Sequence, residues 1–358
     1  MPARDVLIVS LGSTAGLREA DAELAASLRR AGASVAVATV APPRAWRTMA
    51  ANELAWALAA RRATLAAERA RAVIYSTTTA ALLAPLPGAI RFDAPAAGNR
   101  PGRHGIWQRR VEAHRFAAAP LLVPWSEGAL AEAPRPHAAA VIVPVAVEPS
   151  GPAEPRDIAA ITYGANPEKK GLDRVLAAWA HAARPDEELV VAGLDERAGA
   201  AWLREAARTA GASRAAGASR AAGASGAGGA GGAGGAGGAG RVRFAGLLSR
   251  GDYRALLRRA RLFLAAPRRE DYGIAQLEAL ADGCVLVTTA APGPYAALPL
   301  ARALDPRLVG DELAIRTALD DPAPGYAARA ATALAPYAPA AVDRVVAEAL
   351  LPRLRALA

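Results

Sequence analysis

The chain has 358 residues, too many for one ordinary hydrophobic core and enough for two α/β domains. Hydrophobic residues make up 53% and aromatics only 5%, and no run of about 18 strongly apolar residues occurs, so no transmembrane helix is expected. The net charge of +10 comes from arginines scattered along helical stretches without interleaved aromatics, which argues against nucleic acid but leaves an anionic membrane surface open as a peripheral partner.

In chain order, Met1 to Asp5 runs straight into the apolar Val6–Ser10 without the marks of an export signal, and cytoplasmic residence is the expectation. Val6–Ser10 reads as a strand ending in the loop Leu11-Gly12-Ser-Thr-Ala-Gly16. A helix over about Arg18 to Arg30, closed by Gly32, and a strand over Ser34 to Val40 complete a βαβ unit, which predicts a parallel sheet. Further strands are expected at Ala72–Ser76, Ala89–Phe92, Leu121–Val123 and Ala140–Pro144. Between Val147 and Arg156 the chain is rich in Pro and Gly, as a hinge between domains is.

The alternation then restarts. Strands are expected at Ile158–Tyr163 and Glu188–Ala192, with helices over Gly171–Ala182 and about Ala198 to Ala210. Residues 211–240 repeat Gly-Ala-Ser-Arg-Ala-Ala and decay into Gly-Gly-Ala triplets. Such a tract buries too little side chain to offset its ordering entropy, so a flexible loop is expected. Beyond it come strand Arg241–Ala245, helix Gly251–Ala260, strand Arg261–Ala265, helix Ile274–Ala281 and strand Val285–Thr289. A last helical stretch over about 340–358, in which Pro352 predicts a break, is expected to pack back on the first domain. Two doubly wound units result, residues 1–150 and 156–339.

Chemistry concentrates in the second unit. Glu270 follows a strand at its carboxyl end, where parallel α/β sheets bind ligands, and Glu278 lies eight positions later on the following helix. Two carboxylates so placed can accept hydrogen bonds from hydroxyls of a sugar ring and a ribose. The helix start at Gly273 and Ile274 offers free backbone N–H groups to a diphosphate. The chain holds only two lysines, Lys169 and Lys170, side by side, while 41 of its 43 basic residues are arginine. A lysine pair kept against that bias points to a function.

These residues resemble a known pattern. Glu270, seven residues and Glu278, with Tyr272-Gly273 between and Ala279-Leu-Ala-Asp-Gly283 after, are similar to the E-x7-E signature of retaining GT-B glycosyltransferases, particularly family 4. The upstream run Ile161-Thr-Tyr-Gly164-Ala-Asn166-Pro-Glu-Lys169-Lys170-Gly171 resembles the family's strand, glycine loop and Lys-Gly helix start. The resemblance implies a GT-B fold of two Rossmann-like domains facing a cleft: an acceptor domain over 1–150 and a nucleotide-sugar domain over 156–339. It implies that Glu270 contacts the donor sugar, Glu278 the ribose, and Lys170 the departing diphosphate, with Lys169 in reserve and Asn166 in the same loop. The arginine usual after the glycine is here Ala165.

The loop Gly12–Gly16 resembles the place where the family's first domain faces the donor phosphates and acceptor, although a tight turn explains it equally. In the polar loop Arg91-Phe-Asp93 to His104, either Asp93 or His104 takes the strand-end role that relatives give to a histidine. Ser126 resembles a strand-end serine and reads as structural. The four histidines are dispersed and the lone Cys284 excludes a disulfide framework or a cysteine-based zinc site, so no metal and no cofactor are expected beyond the nucleotide-sugar substrate. The implied reaction is hexosyl transfer with retention to an unnamed acceptor; the competing reading is an inactive relative that binds a sugar nucleotide or glycan.

Overall fold

The computed structural model describes residues 4–204 and 240–357. The expected loop over 211–240 and the end of the helix expected over Ala198 to Ala210 lie outside them, save for Gly240.

Among the described residues, two parallel sheets follow one another along the chain. The first comprises β1 (Arg4–Ser10), β2 (Val35–Thr39), β3 (Ala70–Tyr75), β4 (Ala89–Phe92) and β5 (Leu122–Pro124) in the order β2-β1-β3-β4-β5. The second comprises β6 (Ile158–Tyr163), β7 (Glu188–Ala192), β8 (Arg241–Gly246), β9 (Ala260–Ala265), β10 (Val285–Thr289) and β11 (Val309–Gly310) in the order β11-β10-β9-β6-β7-β8. Central strands of such sheets are covered on both faces, which is why they read as unbroken apolar runs. In β1, Val6 and Ile8 join one core cluster while Leu7 and Val9 join the opposite one, and all four are almost wholly buried.

Helices begin where the sequence supplies caps. Thr14 Oγ1 accepts from the Leu17 N–H at the start of Ala15–Arg30, and Thr48 does the same for Met49–Ala66. One expected strand is not formed as such: 140–144 runs extended along β5, where the Val141 and Val143 N–H groups donate to the Leu122 and Pro124 carbonyls, and makes a single bridge from Ala140 to Leu122. The partner strand is three residues long and ends in Pro124, so the ladder has little length to extend.

The chain's end returns to the first domain. Val342, Val346, Leu350, Leu351 and Leu354 share a core cluster with Val6, Ile8, Leu24 and Ile74. A fully buried aliphatic side chain of this kind is worth about 1.5–3 kcal/mol. Pro352 does not break this helix. The chain passes through a π turn, Val346–Leu350, directly before Leu351–Arg355, and the wider turn accommodates a residue that cannot donate an N–H. Two segments therefore cross between the domains, and they run side by side: the Val147 N–H donates to the Tyr337 carbonyl at 2.9 Å.

Candidate active site at the carboxyl ends of the second sheet

The lysine pair is positioned by a short turn, Pro167–Lys170, whose start is capped by Asn166: its Oδ1 accepts from the Lys169 N–H at 3.2 Å. Asn166 thus serves the turn that carries both lysines. The turn ends at Gly171, in left-handed conformation at φ 62, where an added Cβ would stand 1.9 Å from the Ala266 carbonyl oxygen. Only glycine lets this turn lie against the end of β9. The Arg268 N–H donates to the Lys169 carbonyl at 3.0 Å and seals the contact.

The loop after β9 answers with two adjacent acids. Lys170 Nζ donates to both Glu270 carboxylate oxygens, at 2.7 and 3.0 Å. Lys169 pairs with Asp271, which also accepts from Arg269 Nε at 3.0 Å. Burial would raise the Asp271 carboxyl, but the Lys169 and Arg269 cations outweigh it and hold it below the ordinary range. Gln276 Nε2 donates to Glu270 at 3.0 Å, while its buried Oε1 has no partner among the described residues.

Gly273 caps the helix Ile274–Ala281 at φ 92 and supplies no side-chain acceptor, so the first helical N–H groups stay uncapped. A Cβ there would come 2.9 Å from the Tyr295 ring. Glu278 lies on the second turn of this helix. Its Oε1 accepts from Arg250 Nη2 at 2.9 Å and Arg254 Nη1 at 3.3 Å. Burial pushes the Glu278 carboxyl up against the pull of these two cations.

Glu278, Ile274 and Arg250 line a groove of about 660 Å³ together with Gly16, Glu19 and Glu148. That volume suits a ligand of nucleotide size. Lys170 and Gln276 line a separate small pocket against Thr162, Tyr163 and Pro267. The structure therefore joins Lys170 to Glu270 directly and sets Glu278 on the groove face of the same helix; it does not place all three on one described cavity.

The first domain supplies the opposite wall. Gly16 faces the second domain, and a Cβ built on it would lie 3.6 Å from Ile274 Cδ1. Gly12, at φ 56, leaves its carbonyl to accept from Arg18 Nη1 at 2.8 Å, so the loop is also the tight turn it resembles. Asp93 is half-buried and accepts from the Ala94 N–H at 2.8 Å; burial and then the nearby Asp271 charge push its carboxyl up to about 6. The His104 side chain lies outside the described residues. Ser126 caps the helix Glu127–Glu132 and donates to the Pro294 carbonyl across the cleft at 3.4 Å, a structural use.

Sequence reasoning missed several groups. Asp271 is the partner of Lys169, and the doublet Lys169-Lys170 set against Glu270-Asp271 was the signal for it. Arg250 and Arg254, four apart on one helix, share a face that points to Glu278. Tyr272 packs edge-on against Trp125 of the first domain at 5.1 Å, and its Oη accepts from the Val145 N–H at 3.0 Å. Nothing in local spacing announces that seam. Among the described residues no group of three or more His, Cys, Asp or Glu is arranged to hold a metal.

The family described as Glycosyl transferases group 1 matches residues 233–298, the segment that contains Glu270, Gly273 and Glu278. No curated protein matches the chain in sequence. Among solved structures, sucrose-phosphate synthase from Thermosynechococcus elongatus superposes with a TM-score of 0.64 at 13% identity, covering 100% of each chain. WaaG, a glycosyltransferase involved in lipopolysaccharide biosynthesis, gives 0.58 at 15%, covering 96% of this chain and 95% of its own. HepE from Anabaena, in complex with UDP and glucose, gives 0.59 at 14%, covering 97% and 99%. At such identities the superpositions speak for the fold, and the matched segment speaks for the chemistry. Together they give the chain the GT-B architecture, with a segment around Glu270, Gly273 and Glu278 that is similar to glycosyl transferases group 1.

Proposed function

We propose that the protein transfers a hexosyl group from a nucleotide-diphosphate sugar to an acceptor with retention of configuration, without a cofactor. The observation that carries this reading is the Lys170–Glu270 pair beside the uncapped start of Ile274–Ala281, with Glu278 one turn further along facing the groove. Four helical residues span about 6 Å, the reach from a diphosphate at the helix start to the ribose it esterifies. HepE, of the same fold, is known in complex with UDP and glucose, which favours UDP among the donors.

In this reading the diphosphate takes the Ile274 end of the helix and the Lys170 ammonium, where a fixed cation stabilises charge that grows as the nucleotide leaves. Lys169 stands beside it as a second cation. Glu270 and Gln276 orient the sugar hydroxyls, and Glu278 accepts from the ribose. The bond from the anomeric carbon to the phosphate oxygen breaks, its electron pair leaving with the nucleotide, through an oxocarbenium-like state. The acceptor oxygen attacks from the face just vacated and gives its proton to the departing phosphate. Gly12, Gly16 and Asp93 form the first-domain wall on the acceptor side.

The donor is found by thermal shift with UDP-, GDP- and ADP-sugars, since a ligand that binds only the folded chain raises its melting point. NMR of the product then reads the anomeric configuration. A product of opposite configuration to the donor rejects retention; no shift and no turnover with any donor rejects the reading itself.

Peripheral contact with an anionic membrane is favoured by one surface of the first domain. Leu54, Leu58 and Leu65 are exposed on Met49–Ala66 beside the exposed Arg61 and Arg62, and Trp46 with Arg44 and Arg47 precedes that helix. Cosedimentation with phosphatidylglycerol vesicles and not with phosphatidylcholine vesicles is the expected result, lost in Trp46→Ala with Leu58→Ser. No helix among the described residues is long and apolar enough to cross a membrane.

A further inference from the structure

The helix Arg250–Arg259 carries a guanidinium with three different partners. Arg254, only 4% exposed, donates through Nη1 to Glu278 Oε1 at 3.3 Å, through Nε to Asp282 Oδ2 at 2.5 Å, and through Nη2 to the Glu148 carbonyl at 2.7 Å. Asp282, its side chain wholly buried, completes the circuit: its Oδ1 accepts from the Ser150 N–H at 2.8 Å. Glu148 and Ser150 open the linker between the domains, one residue past the point where Val147 bonds to the second crossing segment at Tyr337. Arg258 fastens the same linker from the next turn, donating to Ser150 Oγ and Glu154 at 2.7 Å each.

Resting on the reading of Glu278 as the ribose ligand, we propose that Arg254 and Asp282 form a buried relay between that carboxylate and the interdomain linker at Glu148–Ser150. Arg254 is then a positioning residue for donor binding. A planar guanidinium fixes the direction of three acceptors at once, which a lysine ammonium on its flexible stem does not. One face of Glu278 is thereby held, leaving Oε2 free of these arginines to take the ribose hydroxyls. The same cation pulls the Glu278 carboxyl toward its ionised form, which accepts two hydroxyl protons, against the burial that pushes it up. Because the relay ends on the linker, a ligand that tightens Glu278 also tightens the segment that joins the two domains.

The test is calorimetric binding of UDP, GDP and ADP to the full chain, with the tightest of the three carried through Arg254→Lys, Arg254→Met, Asp282→Asn and Glu278→Gln. Arg254→Met is expected to raise Kd at least tenfold, Arg254→Lys and Asp282→Asn less. The pH at which binding weakens on the acid side moves upward in Arg254→Met, because Glu278 keeps its proton to higher pH without that cation. In a double-mutant cycle, Glu278→Gln adds less than about twofold on top of Arg254→Met, the non-additivity of groups acting as one unit. Should Arg254→Met fail to fold, the Lys and Asn variants decide. A folded Arg254→Lys or Asp282→Asn with wild-type Kd and pH midpoint, or effects that multiply independently, overturns the relay. Wild-type Kd in Glu278→Gln overturns the ribose reading instead, and no binding of any nucleotide to the wild type overturns the donor site as a whole.

Discussion

The two walls of the cleft are made differently. On the second domain every acid of the site meets a cation of the same domain: Glu270 with Lys170, Asp271 with Lys169 and Arg269, Glu278 with Arg250 and Arg254. On the first domain the wall joins backbone at Gly12 and Gly16 to the half-buried Asp93 and to Glu19, whose ion pair reaches across the cleft to Arg250. Contacts across the cleft are mixed and include Trp125 against Tyr272, Ser126 with the Pro294 carbonyl, Arg269 with Glu132 at 2.5 Å, and Arg250 with Glu19. In the proposed reading the donor side is preorganised by fixed charge, and the acceptor side by loop shape. Charge chemistry tolerates few substitutions, whereas loop shape is free to vary with the acceptor.

That contrast is broken most sharply at Lys170. Lys170→Ala removes the cation from the leaving diphosphate and leaves the buried Glu270 without its partner, so kcat is expected to fall on the order of 10²–10³-fold. Glu19→Ala on the first-domain wall removes only an exposed ion pair and is expected to change stability by less than about 1 kcal/mol. Steady-state kinetics and thermal melts of the two variants check the pair. Equal losses in kcat would mean that both walls, and not one, carry the charge work.

Glu278→Ala tests the same wall at its nucleotide end. A hydrogen bond to a charged group is worth about 1.5–3 kcal/mol, so the Kd for nucleoside diphosphate should rise roughly 10- to 100-fold, read by calorimetry. A smaller change in the opposite direction is expected at Ala165, an exposed position at the end of β6 where the resembling family carries arginine. Ala165→Arg adds a cation near the diphosphate and should tighten donor binding by about tenfold or less. An unchanged Kd would show that Lys169 already fills that place.

The same contrast explains what the sequence reveals. The helix Ile274–Ala281 and strand Val285–Thr289 were legible to the residue, because a glycine, an apolar period and a second glycine bound them. Glu270, Glu278 and Lys170 were legible because their spacing along strand ends and helix starts is local. The relay through Arg254 and Asp282, and the seam of Trp125 with Tyr272, join residues more than 20 positions apart, and only the packed structure brings them together. The 140–144 segment misled for the converse reason. Its alternation suits a strand, but a strand needs a neighbour with a ladder to share, and β5 is too short. Pro352 misled because a proline's missing N–H can be absorbed one turn earlier.

Asp93 gives the cleanest sign. Burial and the neighbouring Asp271 raise its folded carboxyl from the ordinary 3.8 to about 6. Between those values the folded chain binds more protons than the unfolded one, so its contribution to stability falls as pH rises through that window and stays at its lowest above it. Asp93→Asn keeps an oxygen to accept from the Ala94 N–H and removes the charge beside Asp271. The variant should melt higher than the wild type at pH 7.5 and within error of it at pH 4, by differential scanning calorimetry. A lower melting point at pH 7.5 would mean that the Asp93 carboxylate is held by Lys169 more strongly than burial and Asp271 oppose it, and the first-domain wall would then share in the fixed charge that otherwise belongs to the second.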